Sequence, residues 1–327
     1  MNEIFDEKLA FSRKGGNPDM KAHKKNILKK IRQNIPFYLM ILPGLLYLFI
    51  NNYLPLPGLQ LAFKRLNYAE GIWGSPWVGL KNFVYLFRSP DSWIIIRNTL
   101  LYNAAFISLG TVFSVTIAIL LNECSRKWQK RYQTFILIPH LLSYVVVSYI
   151  VYAFLGGENG MINNQIFRPL GLSAVSWYTE DKHWPFILVF VNIWKTFGYS
   201  SIIYFASIIG IDRTYYEAAQ VDGASPLKQI WSITLPLLKP VLITMILLSI
   251  GRILYSDFGL FYQVPMNSGM LFDTTNTIDT FVYRGLLESN DVGRAAAANF
   301  IQSVLGFVLV LTANMIIRKT EKEHALF

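Results

Sequence analysis

The chain has 327 residues, of which 53% are hydrophobic, 15% aromatic and only 15% charged. Soluble domains carry nearer a quarter charged residues, so these ions are too few to wet the surface of a globule this size. The net charge of +10 takes its meaning from where the charges fall, and the single cysteine, Cys124, excludes an internal disulfide framework or a cysteine-built zinc cluster.

Crossing a hydrocarbon core of about 30 Å takes about 20 apolar residues in a helix. Residues 35–53 follow a basic stretch and read as the first span, with Pro43 tolerated where neighbouring helices can satisfy the freed carbonyl. Residues 98–122 and 133–157 contain no charged residue and read as the second and third spans. Residues 185–210 carry Lys195, and 240–262 carry Arg252 and Asp257; these are the polar fourth and fifth spans. Residues 295–317 are clean again and end against Arg318 and Lys319. The expectation is an all-α polytopic membrane protein of six transmembrane helices. A soluble protein burying that many uncharged runs would need a far larger polar shell. Tyr53, Trp93, Tyr132, Tyr152 and Trp184 fall near predicted ends, as an interfacial aromatic belt would.

Basic residues set the orientation. The stretch 1–34 holds nine, 122–133 four, 211–239 three and the tail after 317 three, against eight in the connections of the opposite side. Positive charge marks the cytoplasmic face, which puts both termini inside. Lys24, Lys25, Lys29, Lys30 and Arg32 are placed to meet anionic headgroups of the membrane lipid. The tail is too long before its apolar run, and lacks a small-residue cleavage pattern, for an ordinary cleaved signal peptide. The excess charge is therefore a topology signal, and no nucleic-acid partner is expected. Three regions result: a basic cytoplasmic tail 1–34, a transmembrane domain 35–317 and a cytoplasmic tail 318–327.

Within the transmembrane domain, residues 211–240 form a cytoplasmic connection whose punctuation describes two short helices. Asp212 can cap the first, Glu217, Ala218 and Ala219 favour it, and Gly223 suits the left-handed position that ends it. Ser225 caps a second, with Pro226 at its first position; Pro236 and Pro240 close the unit. Ala218, Ala219, Val221, Ala224, Leu227, Ile230 and Trp231 are surplus to solubility and suit a partner's groove. An amphipathic helix lying on the lipid is the alternative.

Glu217-Ala218-Ala219, Asp222-Gly223-Ala224 and the closing Leu235-Pro236 together resemble the signature loop of the membrane subunits of binding-protein-dependent ABC importers. The segments 251–252, 256–265 and 278–284 are similar to the carbohydrate branch of that family, in particular its polysaccharide and alginate-oligosaccharide permeases. Residues 1–34 lie outside the resemblance.

The resemblance implies the type I ABC importer architecture in a bacterial cytoplasmic (inner) membrane. The loop would be a coupling helix seated in a cytoplasmic ATPase dimer, with Glu217 facing a basic residue of that partner. It also implies a second, homologous permease, favoured as a heterodimer, and an extracytoplasmic solute-binding protein. The chain has no Gly-x-x-x-x-Gly-Lys-Ser/Thr phosphate loop, so no catalytic site of its own and no bound cofactor are expected. ATP and magnesium would be used by the ATPase.

Each intramembrane ion costs about 2.5–3.5 kcal/mol on the insertion scale, so Lys195, Arg252 and Asp257 should face a water-filled path or one another. A spacing of five turns Arg252 and Asp257 about 140° apart on an ideal helix, which favours partners on other helices. Asn192, Trp194, Tyr199, Tyr204 and Tyr255 lie on the same two spans and can offer rings and hydroxyls to a sugar, or can be ordinary packing residues. Arg97 reads as a residue snorkelling to the interface. The external connections 155–184 and 263–294 suit either a receptor's docking surface or covers over the helix ends.

The expected function is thus one half of the path of an ATP-driven oligosaccharide importer, with an acidic, alginate-like solute in view. An importer for a non-sugar solute is the runner-up. A membrane-embedded sugar transferase would need clustered carboxylates to hold a metal, and Asp212, Glu217 and Asp222 are spaced so as to point apart. A secondary transporter should show an internal repeat with broken helices, and none is evident.

Overall fold

The computed structural model describes residues 33–88, 90–157, 159–288 and 290–320. The expected basic tail and its lipid-facing lysines lie almost wholly outside these residues, as does most of the C-terminal tail. Among the described residues the chain is helical, with no strand beyond one isolated bridge between Lys64 and Trp77. Five helical runs are long and apolar enough to cross a membrane: Ile35–Phe63, Asp91–Glu123, Asp181–Ile209, Pro226–Ile250 and Val292–Lys319. A sixth consists of two helices bent by 92°. The expected count of six holds, although two of the spans are not the straight helices that the sequence suggests.

The described residues divide into two compact units, with the boundary between Leu59 and Gln60. In the first, helix α1 (Ile35–Leu48) has a proline at its start and Pro43 inside, is apolar on every side and buries none of its residues. A π turn over Phe49–Tyr53 follows it.

In the second unit, α2 (Pro90–Glu123) packs along α5 (Trp184–Ile209). Near one end of this pair, Tyr102, Val147, Trp184, Leu188 and Phe261 form one buried cluster. At the opposite ends Val115, Ala118, Tyr204, Phe205, Ile208 and Leu238 form another. Trp184, expected in the interfacial belt, is instead fully buried and donates from Nε1 to the Trp177 carbonyl at 2.6 Å. Arg97 is likewise no free snorkel: its Nη2 donates to the Asp273 carbonyl at 2.8 Å.

The third span is broken. Helix α3 (Arg126–Leu141) and helix α4 (Tyr144–Leu155) meet at Leu142 and Ser143, both extended, and Ser143 Oγ accepts from Val146 N at 3.3 Å to start α4. The uninterrupted apolar pattern hides the break, because hydropathy reports cost of burial and not backbone direction. What holds the bend comes from α5. Lys195, 7% exposed, donates from Nζ to the carbonyls of Pro139 (3.3 Å), His140 (3.0 Å) and Leu142 (2.5 Å). The His140 and Leu142 carbonyls lie where an ending helix leaves its last acceptors without intrahelical donors, and Pro139 O also accepts from Leu142 N at 3.3 Å. Beside it, the α3 backbone passes so close that a Cβ on Gly198 would lie 1.8 Å from the Ile136 oxygen. Only glycine fits there.

The fifth span is corrected in the same way. Helix α7 (Leu235–Ile250) stops before Arg252, and residues 251–257 leave the helix before a π turn forms over Gly259–Gln263. Arg252 and Asp257 therefore do not share a helix, and the rotation expected between them does not apply. Helix α8 (Ile278–Leu287) then packs on α9 (Val292–Thr320).

Candidate functional site

Two sites emerge, one at each end of the α5–α7 hairpin. In the first, helix α6 (Arg213–Val221) begins where Asp212 Oδ1 accepts from Thr214 N at 3.0 Å. That amide holds the Asp212 carboxyl below its usual range. The helix ends in a Schellman motif. Gly223 takes φ +77°, its N–H donates to Gln220 O (3.0 Å), and Ala224 N–H donates to Ala219 O (2.8 Å). The spacing of Ala219, Gly223 and Ala224 in the signature is thus the spacing of a helix stop.

The next stretch departs from expectation. Ser225 does cap a helix with Pro226 at its first position, but that helix runs through a π turn (Ile230–Thr234) directly into α7. Pro236 lacks a backbone N–H, and the wider π turn opens the ladder next to it, so the proline joins the two parts where it was expected to close the unit. One joint, at Gly223, remains. The knob is tied down by Tyr216 OH and Thr234 Oγ1 at 2.9 Å and by Gln229 Nε2 donating to Ala224 O at 2.9 Å.

Of the signature residues, Glu217, Ala218, Asp222, Gly223 and Pro236 are exposed, while Ala219, Ala224 and Leu235 are half-buried. Val221, Leu227 and Trp231 are 89%, 70% and 71% exposed, so an apolar surface surrounds them. Glu217 also borders a cavity of about 850 Å³ between the knob and the α2–α3 turn, with Arg126, Gln129 and Arg213 on its wall.

The second site is a cavity of about 560 Å³ enclosed by α2, α5, α7 and residues 252–257. Of the seven residues expected on a solute path, it gathers Asn192, Arg252, Tyr255 and Asp257, together with Tyr204. It leaves out Trp194, which packs on the outer core, Tyr199, which stacks on His140 at 4.7 Å, and Lys195. Residues missed by the sequence reading complete the wall, including Asn103, Thr111, Ser114, Thr196, Ser200, Ser249 and Ser256. Their signal was present: Asn192, Thr196, Ser200 and Tyr204 recur every fourth residue, which aligns them on one helix face. Thr196 and Ser249 each donate to a carbonyl of their own helix (2.8 Å each), which leaves hydroxyl lone pairs to accept from a solute.

The charges in this region divide unequally. Asp257 caps the following turn, its Oδ1 accepting from Leu260 N at 3.3 Å, and lies within electrostatic reach of Tyr144 and Lys195. Lys195 Nζ also stands 4.8 Å from the Tyr144 ring centroid. Arg252, exposed to the cavity, makes no side-chain hydrogen bond or ion pair among the described residues.

The connections within 155–184 and 263–294 are more tightly built than loose covers. Asn163 is 1% exposed and clasps residue 175 through Nδ2 to Val175 O (2.9 Å) and Val175 N to Oδ1 (3.2 Å). Arg284 bonds Asn267 Oδ1 at 2.7 Å, Thr280 Oγ1 at 3.1 Å and Asn276 Oδ1, over the Phe272 ring.

Comparison with known proteins agrees with this layout. Residues 110–322 match the family described as binding-protein-dependent transport system inner membrane component. The polygalacturonan/rhamnogalacturonan transport system permease protein YteP of Bacillus subtilis is 34% identical over 309 residues, covering 93% of this chain and 94% of its own. A crystal structure of a bacterial ABC transporter involved in the import of the acidic polysaccharide alginate contains a chain of the same fold. Its TM-score is 0.82 at 32% identity, over 90% of this chain and 99% of that one. A second structure, of the bacterial alginate transporter in complex with an alginate pentasaccharide-bound periplasmic protein, matches with a TM-score of 0.80 at 32% identity, over 90% and 98%. With six candidate spans, a knob carrying the signature and relatives aligned over nearly its whole length, this chain belongs to the binding-protein-dependent transport system inner membrane components, as a multi-pass permease subunit of the sugar-importer type.

Proposed function

We propose that this permease forms half of the translocation path for an acidic oligosaccharide in an ATP-driven importer, and that a second, homologous permease completes it. The observation that carries the solute's charge is Arg252: a guanidinium facing the cavity between membrane helices, with its charge unanswered by the described residues, while the ammonium of Lys195 is spent on three carbonyls and the Tyr144 ring. Such a cation is costly unless an anion visits it. Asn192, Tyr255 and Asp257 share the wall with it, and the alginate transporter of the same fold handles an acidic polysaccharide. Trp194, Lys195 and Tyr199 then support the path from behind.

Coupling is assigned to Glu217, Ala218, Ala219, Asp222, Gly223, Ala224, Leu235 and Pro236, seated in a cytoplasmic ATPase dimer that would hold ATP and magnesium. The exposed apolar surface around them supports a protein partner. Both termini would lie in the cytoplasm of a bacterium, and the outer connections would receive an extracytoplasmic solute-binding protein.

Transport by the assembled complex tests the solute reading. Arg252→Ala should raise KM for an acidic oligosaccharide about tenfold or more, as loss of a charged hydrogen bond does, and change that for a neutral one about twofold at most. Equal losses for both solutes would make Arg252 structural. For coupling, Glu217→Lys should abolish copurification of the ATPase; retained binding with solute-stimulated hydrolysis would sink the assignment.

A further inference from the structure

The segments 256–265 and 278–284, whose similarity to carbohydrate permeases has no local explanation, meet in space. Beyond the end of α7 at Ile250 the backbone leaves the helix, so the carbonyls of residues 253–255 and the amide of Ser256 need partners from elsewhere, and between membrane spans there is little water to supply them. Three helices supply the replacements. Asn103 of α2 donates from Nδ2 to Ile253 O and Tyr255 O, 2.9 Å each. Gln302 of α9, 2% exposed, donates from Nε2 to Leu254 O at 2.5 Å and to Asp279 Oδ2 at 3.1 Å. Asp279 of α8 accepts on the same oxygen from Ser256 N (2.6 Å) and Ser256 Oγ (2.8 Å).

We infer that Asp279 and Gln302 are positioning residues of the transport path: neither lines the cavity, and together they hold residues 251–257 off the helix so that Arg252 and Tyr255 face it. Without this frame, the cheapest way to satisfy the same backbone groups is to extend α7 by two turns. Extension would carry Arg252 and Tyr255 to helical positions about 60° apart and pull residue 256 away from Asp279. The carboxylate is suited to the task because it is an acceptor only and takes the amide, the hydroxyl and the glutamine at once. The inference rests on the reading of the cavity as the solute path, so its test has one readout that does not involve solute.

In the assembled transporter with Cys124→Ser, a cysteine is placed either by Tyr255→Cys, on the framed segment, or by Thr196→Cys, on the facing helix. Each is titrated with a charged methanethiosulfonate. Gln302→Met, which keeps the volume and removes the donor, and Asp279→Ala should each change the modification rate at 255 about tenfold, the effect of losing a buried bond to a charged group, while the rate at 196 stays within about twofold. In the unmodified background the same two substitutions should raise the solute KM about tenfold at a maximal ATPase rate within about twofold, and Asp279→Asn, which retains an acceptor for Ser256 N–H, should restore much of both. An unchanged rate at 255 in Gln302→Met overturns the inference. A changed rate at 255 with unchanged KM leaves the frame in place and overturns the solute-path reading instead.

Discussion

The coupling knob and the cavity wall lie at opposite ends of the same helical hairpin, and their hydrogen bonds reach over very different lengths of chain. In the knob, Asp212 bonds the amide two residues on, Ser225 the amide three on, and the Gly223 stop closes within one turn. In the frame around the wall, Asn103 reaches a carbonyl 150 residues away, Lys195 one 53 away and Gln302 one 48 away. A knob made from local bonds can ride as a unit on whatever it docks to. A wall assembled from three helices changes shape when those helices move, which is the property a transport path needs.

The contrast can be broken by substitution, and the long-range side should break harder. Gly198→Ala places a methyl on the Ile136 carbonyl and should cost several kcal/mol, of the order of 3 or more, with loss of monodisperse protein on purification. Lys195→Met strands the His140 and Leu142 carbonyls at the bend of the third span and should cost about 3 kcal/mol, seen as a drop in melting temperature, with equal loss of acidic and neutral uptake. A selective loss of acidic uptake in that variant would instead put Lys195 on the path. Gly223→Ala, forced to φ +77°, should cost about 1–2 kcal/mol and uncouple ATP hydrolysis from solute while leaving the cavity intact.

The smallest effect belongs to the Asp212 cap. Its carboxyl titrates lower in the fold than in an unfolded chain, because the Thr214 amide bonds the charged form. The stabilisation is therefore complete above the ordinary carboxylate range and fades as pH falls through the depressed value. Hydrogen exchange of the 213–221 amides should quicken on acidification in the parent chain and be fast and pH-independent in Asp212→Ala, after correction for intrinsic rates.

Legibility followed the same division. Asp212, Gly223, Ser225 and Pro226 announce their caps and stop in the sequence, and the structure has each of them where the pattern implies. Pro236 misled because a proline reads as a stop unless a π turn opens beside it, and that turn has no local signature. Four of the seven expected path residues line the cavity, and of these only Asn192 belongs to the polar stripe on α5, whose other members the sequence also displays by their period of four. Lys195 and Arg252 look alike in a list of intramembrane cations; one is spent on a bent helix end and the other is not, and only the position of α3 distinguishes them.

By itself the sequence determined the six apolar spans and the caps and helix stop of the knob, since cost of burial and local hydrogen bonding depend on composition and near neighbours. Only the tertiary structure decided that the third and fifth spans are broken, which residues satisfy the freed carbonyls and which cation is left facing the cavity. A break in a helix between membrane spans survives only where donors from other helices replace the lost bonds, and donors 50 to 150 residues distant leave no local trace.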